Sequence, residues 1–174
     1  MNLRGHMATG AALAVIGFGW GGGGDLAQAF AVGAVAGSIA PDLLEVPVFV
    51  PGTGKRLSLI SHRTWTHYAP FWLCLIAAVP LLAWPFPDVA VAVLGAALGG
   101  LLHLSMDVMT PMGLPVSWPP TRRAKRKSLH IYRNGEFIKE WGVVAAVWLV
   151  ALVVGFGPWL VAHGVAWVWR FVGL

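Results

Sequence analysis

Charged side chains are scarce in this chain of 174 residues. Asp, Glu, Lys and Arg together make up 11% of it, against about 25% in a typical soluble domain. Hydrophobic residues make up 57%. A soluble fold of this size needs more polar surface to cover its core, and a disordered chain needs far less apolar content. The composition excludes both classes and predicts one integral membrane domain over residues 1–174.

Cysteine is nearly absent, since Cys74 is the only one. This excludes a disulfide framework and a cysteine-based zinc site. A metal site in this chain must therefore be built from histidine and carboxylate side chains. The 10 Trp and 22 Gly are typical of membrane proteins, in which Trp lies at the interfaces and Gly lets helices approach closely.

Five apolar segments predict an all-α, polytopic membrane helix bundle of about five spans. They cover roughly residues 6–20, 26–44, 66–84, 88–109 and 141–167. A hydrocarbon core of about 30 Å takes about 20 helical residues, so four spans are full-length and the N-terminal one is short. The glycine run 21–24 should end the first helix, and Pro158 should kink the last one.

Basic residues are concentrated in every second connecting segment. Arg4 precedes the first span, Lys55, Arg56 and Arg63 lie in the second loop, and the basic loop 111–140 holds seven Lys and Arg, whereas the other two loops hold none. The positive-inside rule then predicts a bacterial-type inner-membrane protein with its N-terminus cytoplasmic and its C-terminus outside. A secretory signal cleaved after 27–29 is the alternative interpretation of the N-terminal segment.

The basic loop is expected to bind anionic phospholipid headgroups, each basic residue contributing about 1 kcal/mol near the surface. Because the run lies between apolar segments, a nucleic-acid partner is not expected. Its members are Arg122, Arg123, Lys125, Arg126 and Lys127.

Ionisable residues in or beside membrane spans are costly and indicate function. Here six of them fall at the predicted cytoplasmic ends of the spans: His6, Asp42, His62, His67, His103 and Asp107. The last two are spaced i, i+4 and share one helix face. His62 and His67 are five residues apart, and this spacing requires a turn at the start of the third span. Such donors suit one or two divalent metal ions, and zinc is the expected metal.

Further residues are candidates for chemistry around such a metal. Asp42 or Asp107, if not fully engaged as a ligand, could orient a metal-activated water, and Arg63 could bind phosphate oxygens through its guanidinium fork. Thr66 and Thr110 could donate hydrogen bonds to the substrate or to the ligands. Glu140 is a third catalytic candidate because it stands where the fifth span meets the inner face. Glu45 is interpreted as a loop acid, and His130 as a solvated loop residue whose part in the site is left open.

Three motifs carry a resemblance to a known family. Pro41-Asp42, the HRTWTH segment 62–67, and the segment 103–113 with its His, Asp, Thr-Pro and Gly resemble the YdjM-like inner-membrane metal-dependent hydrolases, also described as LexA-binding. Leu44 departs from the family, which often has an acid there; Glu45 follows it. The order of ligands is more distantly similar to zinc-dependent phospholipases C and zinc nucleases. That likeness implies a phosphoester substrate.

The resulting hypothesis is a membrane-embedded metal-dependent hydrolase, a phosphoesterase acting on a lipid, a lipid-linked phosphate or a small-molecule phosphoester at the cytoplasmic face. The alternative is a non-enzymatic membrane scaffold or regulatory protein, or a metal transporter. A transporter places ionisable groups near the bilayer midplane, whereas the middles of all five segments are apolar.

Overall fold

The computed structural model describes residues 2–45, 47–49, 52, 56–58, 60–61 and 63–172, and these form an α-helical bundle. The prediction of an all-α membrane bundle is confirmed. A 3₁₀ turn over Trp65–His67 precedes the third helix, where the histidine spacing predicted a turn. The helices in chain order are α1 Leu3–Gly21, α2 Asp25–Leu43, α3 Ala69–Ala83, α4 Pro87–Val108 and α5 Phe137–Val172.

Three helices of the described chain are long and apolar enough to cross a membrane, judged by length and composition. They are α2, α4 and the Phe137–Pro158 part of α5. The third segment was expected to be a full-length span, but α3 has only 15 residues, because Tyr68 is extended and separates the helix from the preceding turn. The first helix is longer than predicted, with 19 residues, and ends at Gly21, which is followed by Gly22 in the left-handed conformation. Pro158 lies inside α5 and does not end it.

The centre of the bundle is the α2–α4 pair, and small residues allow its close approach. A Cβ atom built on Gly37 of α2 would collide with the backbone of Ala96 on α4, and one on Gly99 would collide with the backbone of Ala34. Helix α1 packs against α2, α5 packs against α1, and α3 packs against α4. This arrangement brings the end of α2, the end of α4 and the start of α1 to one end of the bundle.

Two short antiparallel ladders, which the apolar segments do not predict, lie in the long loops. Strand β1, Pro47–Phe49, pairs with β2, Arg56–Ser58, and β3, Leu114–Pro115, pairs with β4, Arg126–Lys127. The second ladder folds the basic loop back over the end of α4, where the Leu129 N–H donates to the carbonyl of Val108. The loop ends at residue 136, because α5 already begins at Phe137.

Candidate metal centre

Two histidines face each other with their Nε2 atoms at the end of α4. The Nε2 atoms of His67 and His103 are 3.3 Å apart, and both rings are buried. The Nδ1 atom of His103 lies 2.7 Å from the carbonyl oxygen of Ser38 on α2. A carbonyl can only accept, so Nδ1 carries the proton and the Nε2 lone pair points into the cluster.

Two aspartates complete this arrangement from α2 and α4. The Nε2 atom of His67 lies 3.4 Å from Oδ1 of Asp42 and 3.3 Å from Oδ2 of Asp107. The Nε2 atom of His103 lies 3.9 Å and 3.6 Å from the same two oxygens. Atoms that bind one zinc ion at about 2.0–2.2 Å are themselves roughly 3–4 Å apart, so these separations fit the coordination shell of an ion.

His6 of α1 closes the cluster on its third side. Its ring stacks on His103 with centroids 3.6 Å apart, and its Nε2 lies 3.8 Å from Oδ1 of Asp107. Both ring nitrogens are buried, and neither has a hydrogen-bond partner in the described part of the chain. An unsatisfied buried polar group costs about 1–3 kcal/mol. A metal ion bound at this ring would remove that cost, so the donor set fits a metal.

Glu45 belongs to the cluster, although the sequence suggested a loop acid. Its side chain is buried, and Oε1 lies 3.2 Å from Nδ1 of His67 and accepts the backbone N–H of Arg63 at 2.7 Å. The hydroxyl of Thr66 lies 3.1 Å from the same Nδ1. A carboxylate at the far nitrogen of a histidine typically fixes the ring's tautomer and orientation in metal sites.

The acids also influence the protonation of His67, which precedes α3. Burial alone would lower the pKa of this imidazole, but hydrogen bonds to Asp107, Asp42 and Glu45 outweigh burial and hold its pKa well above the usual range. Three carboxylates thus favour a positive charge at this point. A divalent cation among them would experience the same attraction.

Arg63 is buried and engaged, and does not face an open space. Its guanidinium donates from NH2 to Oδ1 of Asp107 at 2.7 Å and from NH1 to the hydroxyl of Thr110 at 2.9 Å. The backbone of Arg63 has φ +56°, an uncommon conformation for a side chain of this size. Contacts at the N–H, the carbonyl and the guanidinium hold it there. In this structure Arg63 positions Asp107, and phosphate binding by its fork stays a hypothesis.

The basic residues of the run 122–127 have two locations, one of them beside the site and four at the surface. Arg126, which the sequence assigned to lipid headgroups, is partly buried, and its NH2 donates to the carbonyl oxygen of Arg63 at 2.9 Å. Burial and the nearby charge of Arg63 lower the pKa of Arg126 from its ordinary value. The other four basic residues of the run are exposed and available to headgroups: Arg122, Arg123, Lys125 and Lys127.

The structure thus brings together five of the six predicted ligands and places the remaining candidates around or away from them. His62 lies outside the described residues. Glu140 is buried at the start of α5 and accepts the backbone N–H of Asn2 at 2.9 Å, so it secures the start of α1. His130 is exposed in the basic loop. Ser38, Glu45 and Arg126 are the contributors that sequence reasoning missed.

Solvent reaches the cluster through Asp42. Its side chain is 24% exposed, whereas that of Asp107 is 2% exposed and that of His67 is fully buried.

Three overlapping groups of possible ligands converge in this cluster, with donor atoms within 4.8 Å of one another in each group. They are His6–Asp42–His103, His67–His103–Asp107 and Asp42–Glu45–His67.

These features define a class: an integral membrane helix bundle with a buried histidine–carboxylate cluster at one end. Comparison with known families agrees, because the family described as YdjM inner membrane protein matches residues 1–171. The chain belongs to this family. No curated protein and no solved structure gave a significant match, and the likeness to zinc-dependent phospholipases C stays a hypothesis.

Proposed function

We propose that this protein is a membrane-embedded metal-dependent hydrolase that cleaves a phosphoester of a lipid or lipid-linked phosphate at the cytoplasmic face. One observation carries the proposal. The Nε2 atoms of two histidines lie 3.3–3.9 Å from oxygens of two aspartates. Beside them lies the buried ring of His6, whose nitrogens have no hydrogen-bond partner among the described residues. A purely structural histidine cluster would be expected to satisfy such a ring.

His6, Asp42, His67, His103 and Asp107 would hold a divalent cation, zinc being the ion that suits this mixture of imidazole and carboxylate. When bound, such a cation lowers the pKa of a coordinated water towards about 7 and supplies hydroxide.

The remaining roles belong to the chain's own groups. Asp42 is the one ligand among the five that is partly exposed, so it is placed to accept a proton from a water arriving from solvent. Arg63 fixes the orientation of Asp107, and Glu45 fixes that of His67. The exposed basic residues of the loop would hold an anionic substrate near this end of the bundle.

Hydrolysis by metal-stripped and zinc-reloaded protein tests the proposal. Detergent-purified protein is assayed on phosphatidic acid and on a soluble aryl phosphate. We expect hydrolysis only after reloading. Asp42→Asn should lower the rate by about 10²-fold or more, because general acid–base groups contribute that much.

Asp25→Asn is the matched control, since Asp25 lies in the first turn of the same helix, and its rate should equal that of the wild type. Equal rates for stripped and reloaded protein would contradict a metal-dependent hydrolase, and equal rates for Asp42→Asn and the wild type would contradict the role of Asp42. No hydrolysis by the reloaded protein would favour the non-enzymatic scaffold.

A further inference from the structure

A wholly apolar cleft opens between α4 and α5. Helix α5 packs chiefly against α1, and α4 against α2 and α3, so the two helices that flank the basic loop stand apart over much of their length. The cleft has a volume of about 450 Å³. Its walls include Leu102 and Met106 of α4, Leu13 of α1, and Ala146, Val147 and Val150 of α5.

The length of the cleft matches one leaflet of a bilayer. On α5 its lining extends from Val143 to Ala151, which is about 12 Å along a helix axis. Half of a hydrocarbon core of about 30 Å is about 15 Å. Because the surrounding solvent at this depth is lipid, a hydrocarbon chain is the molecule whose chemistry fits the walls.

The end of the cleft nearest Met106 lies beside the histidine–carboxylate cluster. Met106 directly precedes Asp107, and Leu102 directly precedes His103, so cleft and cluster occupy neighbouring faces of the same two turns of α4. On α1, Leu13 follows His6 by seven residues, which places it two turns further on the same face. A chain lying in the cleft would therefore present its headgroup at the cluster.

Cations in the loop that borders the cleft favour an anionic headgroup. Ile131 lines the cleft at the end of α4. The same loop carries the exposed cations Arg122, Arg123 and Lys125. Such cations attract anionic lipid at the membrane surface.

We propose that the cleft between α4 and α5 binds one hydrocarbon chain of an anionic phospholipid of the inner leaflet and so presents the lipid's phosphate to the metal cluster. The presentation rests on the proposed function, whereas binding of the chain does not. The cleft is then a lateral opening by which a lipid reaches the site from the bilayer, and the protein selects substrates that have at least one long chain.

Photo-crosslinking in nanodiscs tests the binding of the chain. The probe is phosphatidic acid with a diazirine in one acyl chain, present as a minor component of phosphatidylethanolamine and phosphatidylglycerol. We expect crosslinks on Met106 and Val147 to exceed those on the exposed Leu149 and Leu152, which do not line the cleft. Ala146→Trp should lower the cleft crosslinks by about tenfold or more, equivalent to about 1.4 kcal/mol of binding.

Ala145→Trp is the matched control, because Ala145 is exposed on the same helix and does not line the cleft; it should leave the cleft crosslinks unchanged. Each variant is used only if it is monodisperse and retains its helical circular dichroism, and Val147→Trp replaces Ala146→Trp if the latter misfolds. Equal labelling of cleft and outer positions, or no effect of the Trp variant, would overturn the proposal. So would the absence of lipid crosslinks at the cleft in a protein that elutes as a dimer, which would assign the cleft to a second copy.

His103→Ala separates this proposal from the proposed function. It removes a metal ligand but does not alter the cleft, so cleft crosslinking should persist while hydrolysis is lost. Crosslinking without any metal-dependent hydrolysis in the wild type would overturn the hydrolase alone. Hydrolysis without preferential crosslinking in the cleft would overturn the lipid cleft alone.

Discussion

Individual residues in this cluster act in pairs. One side chain faces the proposed metal position, and a second group holds that side chain in place. The carbonyl of Ser38 fixes the proton of His103 on Nδ1, and Glu45 lies against Nδ1 of His67. Both imidazoles therefore direct Nε2 towards the same point. The partners of the ligands are thus as necessary to the geometry as the ligands themselves.

Replacing Glu45 by glutamine tests this pairing. The amide retains the size of the side chain but removes the charge beside His67, so we expect zinc affinity to fall by about 10–100-fold. Competition with a chromogenic chelator measures the affinity. Glu136→Gln is the control, because Glu136 lies outside the cluster in an ion pair with Lys139. Unchanged affinity in Glu45→Gln would show that the carboxylate has no positioning role.

Most of the histidines and aspartates could be predicted from sequence because they lie on α-helices, where spacing determines the shared face. His103 and Asp107 are one turn apart on α4, and ionisable groups at helix ends are conspicuous among apolar neighbours. Glu45 and Arg126 could not be placed, because each lies beyond a helix end and acquires its position from Arg63, 18 and 63 residues away in the chain.

The helices themselves are positioned by close packing, and the α2–α4 contact carries the site. The carbonyl of Ser38 accepts a hydrogen bond from His103. The preceding residue, Gly37, packs directly against the backbone of Ala96 on α4. The apolar segments predict the existence and approximate bounds of the helices. They do not predict where α3 begins, because a hydropathy pattern cannot distinguish an extended Tyr68 from a helical one. Nor do they predict the two short ladders, whose pairing depends on how the loops close.

Gly37→Ala should weaken both the fold and the site. Its methyl group would overlap the backbone of α4, and overpacking of this kind typically costs about 1–3 kcal/mol. We expect a lower thermal unfolding midpoint in detergent and weaker zinc binding than in the wild type. Gly142→Ala is the control, since a Cβ there meets nothing within 4 Å. Equal midpoints for the two variants would contradict the close packing described for α2 and α4.

The whole molecule concentrates its polar groups at one end, with basic loops beside them. An odd number of membrane crossings would place the two termini on opposite sides, and the positive-inside rule predicts that the basic loop is cytoplasmic. The length of α3 bears on this arrangement, since 15 residues span about 22 Å, less than a hydrocarbon core of about 30 Å. A thinned bilayer or flanking aromatic residues can accommodate such a helix.

Labelling from each side of the membrane tests this orientation. Alkaline phosphatase fused after Leu174 should be active, because the C-terminus is expected outside. A cysteine at Arg123, in a Cys74→Ala background, should react with an impermeant maleimide only after the inner membrane is opened. An inactive fusion together with labelling in intact spheroplasts would reverse the orientation and place the cluster on the outer side.

Zinc content measures whether the histidine–carboxylate cluster binds a metal ion. Detergent-purified wild-type protein, loaded with zinc and desalted, is analysed by mass spectrometry of the metal alongside His103→Ala and the control His130→Ala, whose side chain is exposed in the basic loop. The wild type and His130→Ala should retain one or two zinc ions per chain, as a donor set of this size allows. His103→Ala should fall to background. Absence of zinc from the wild type, or equal zinc in both variants, would contradict the account.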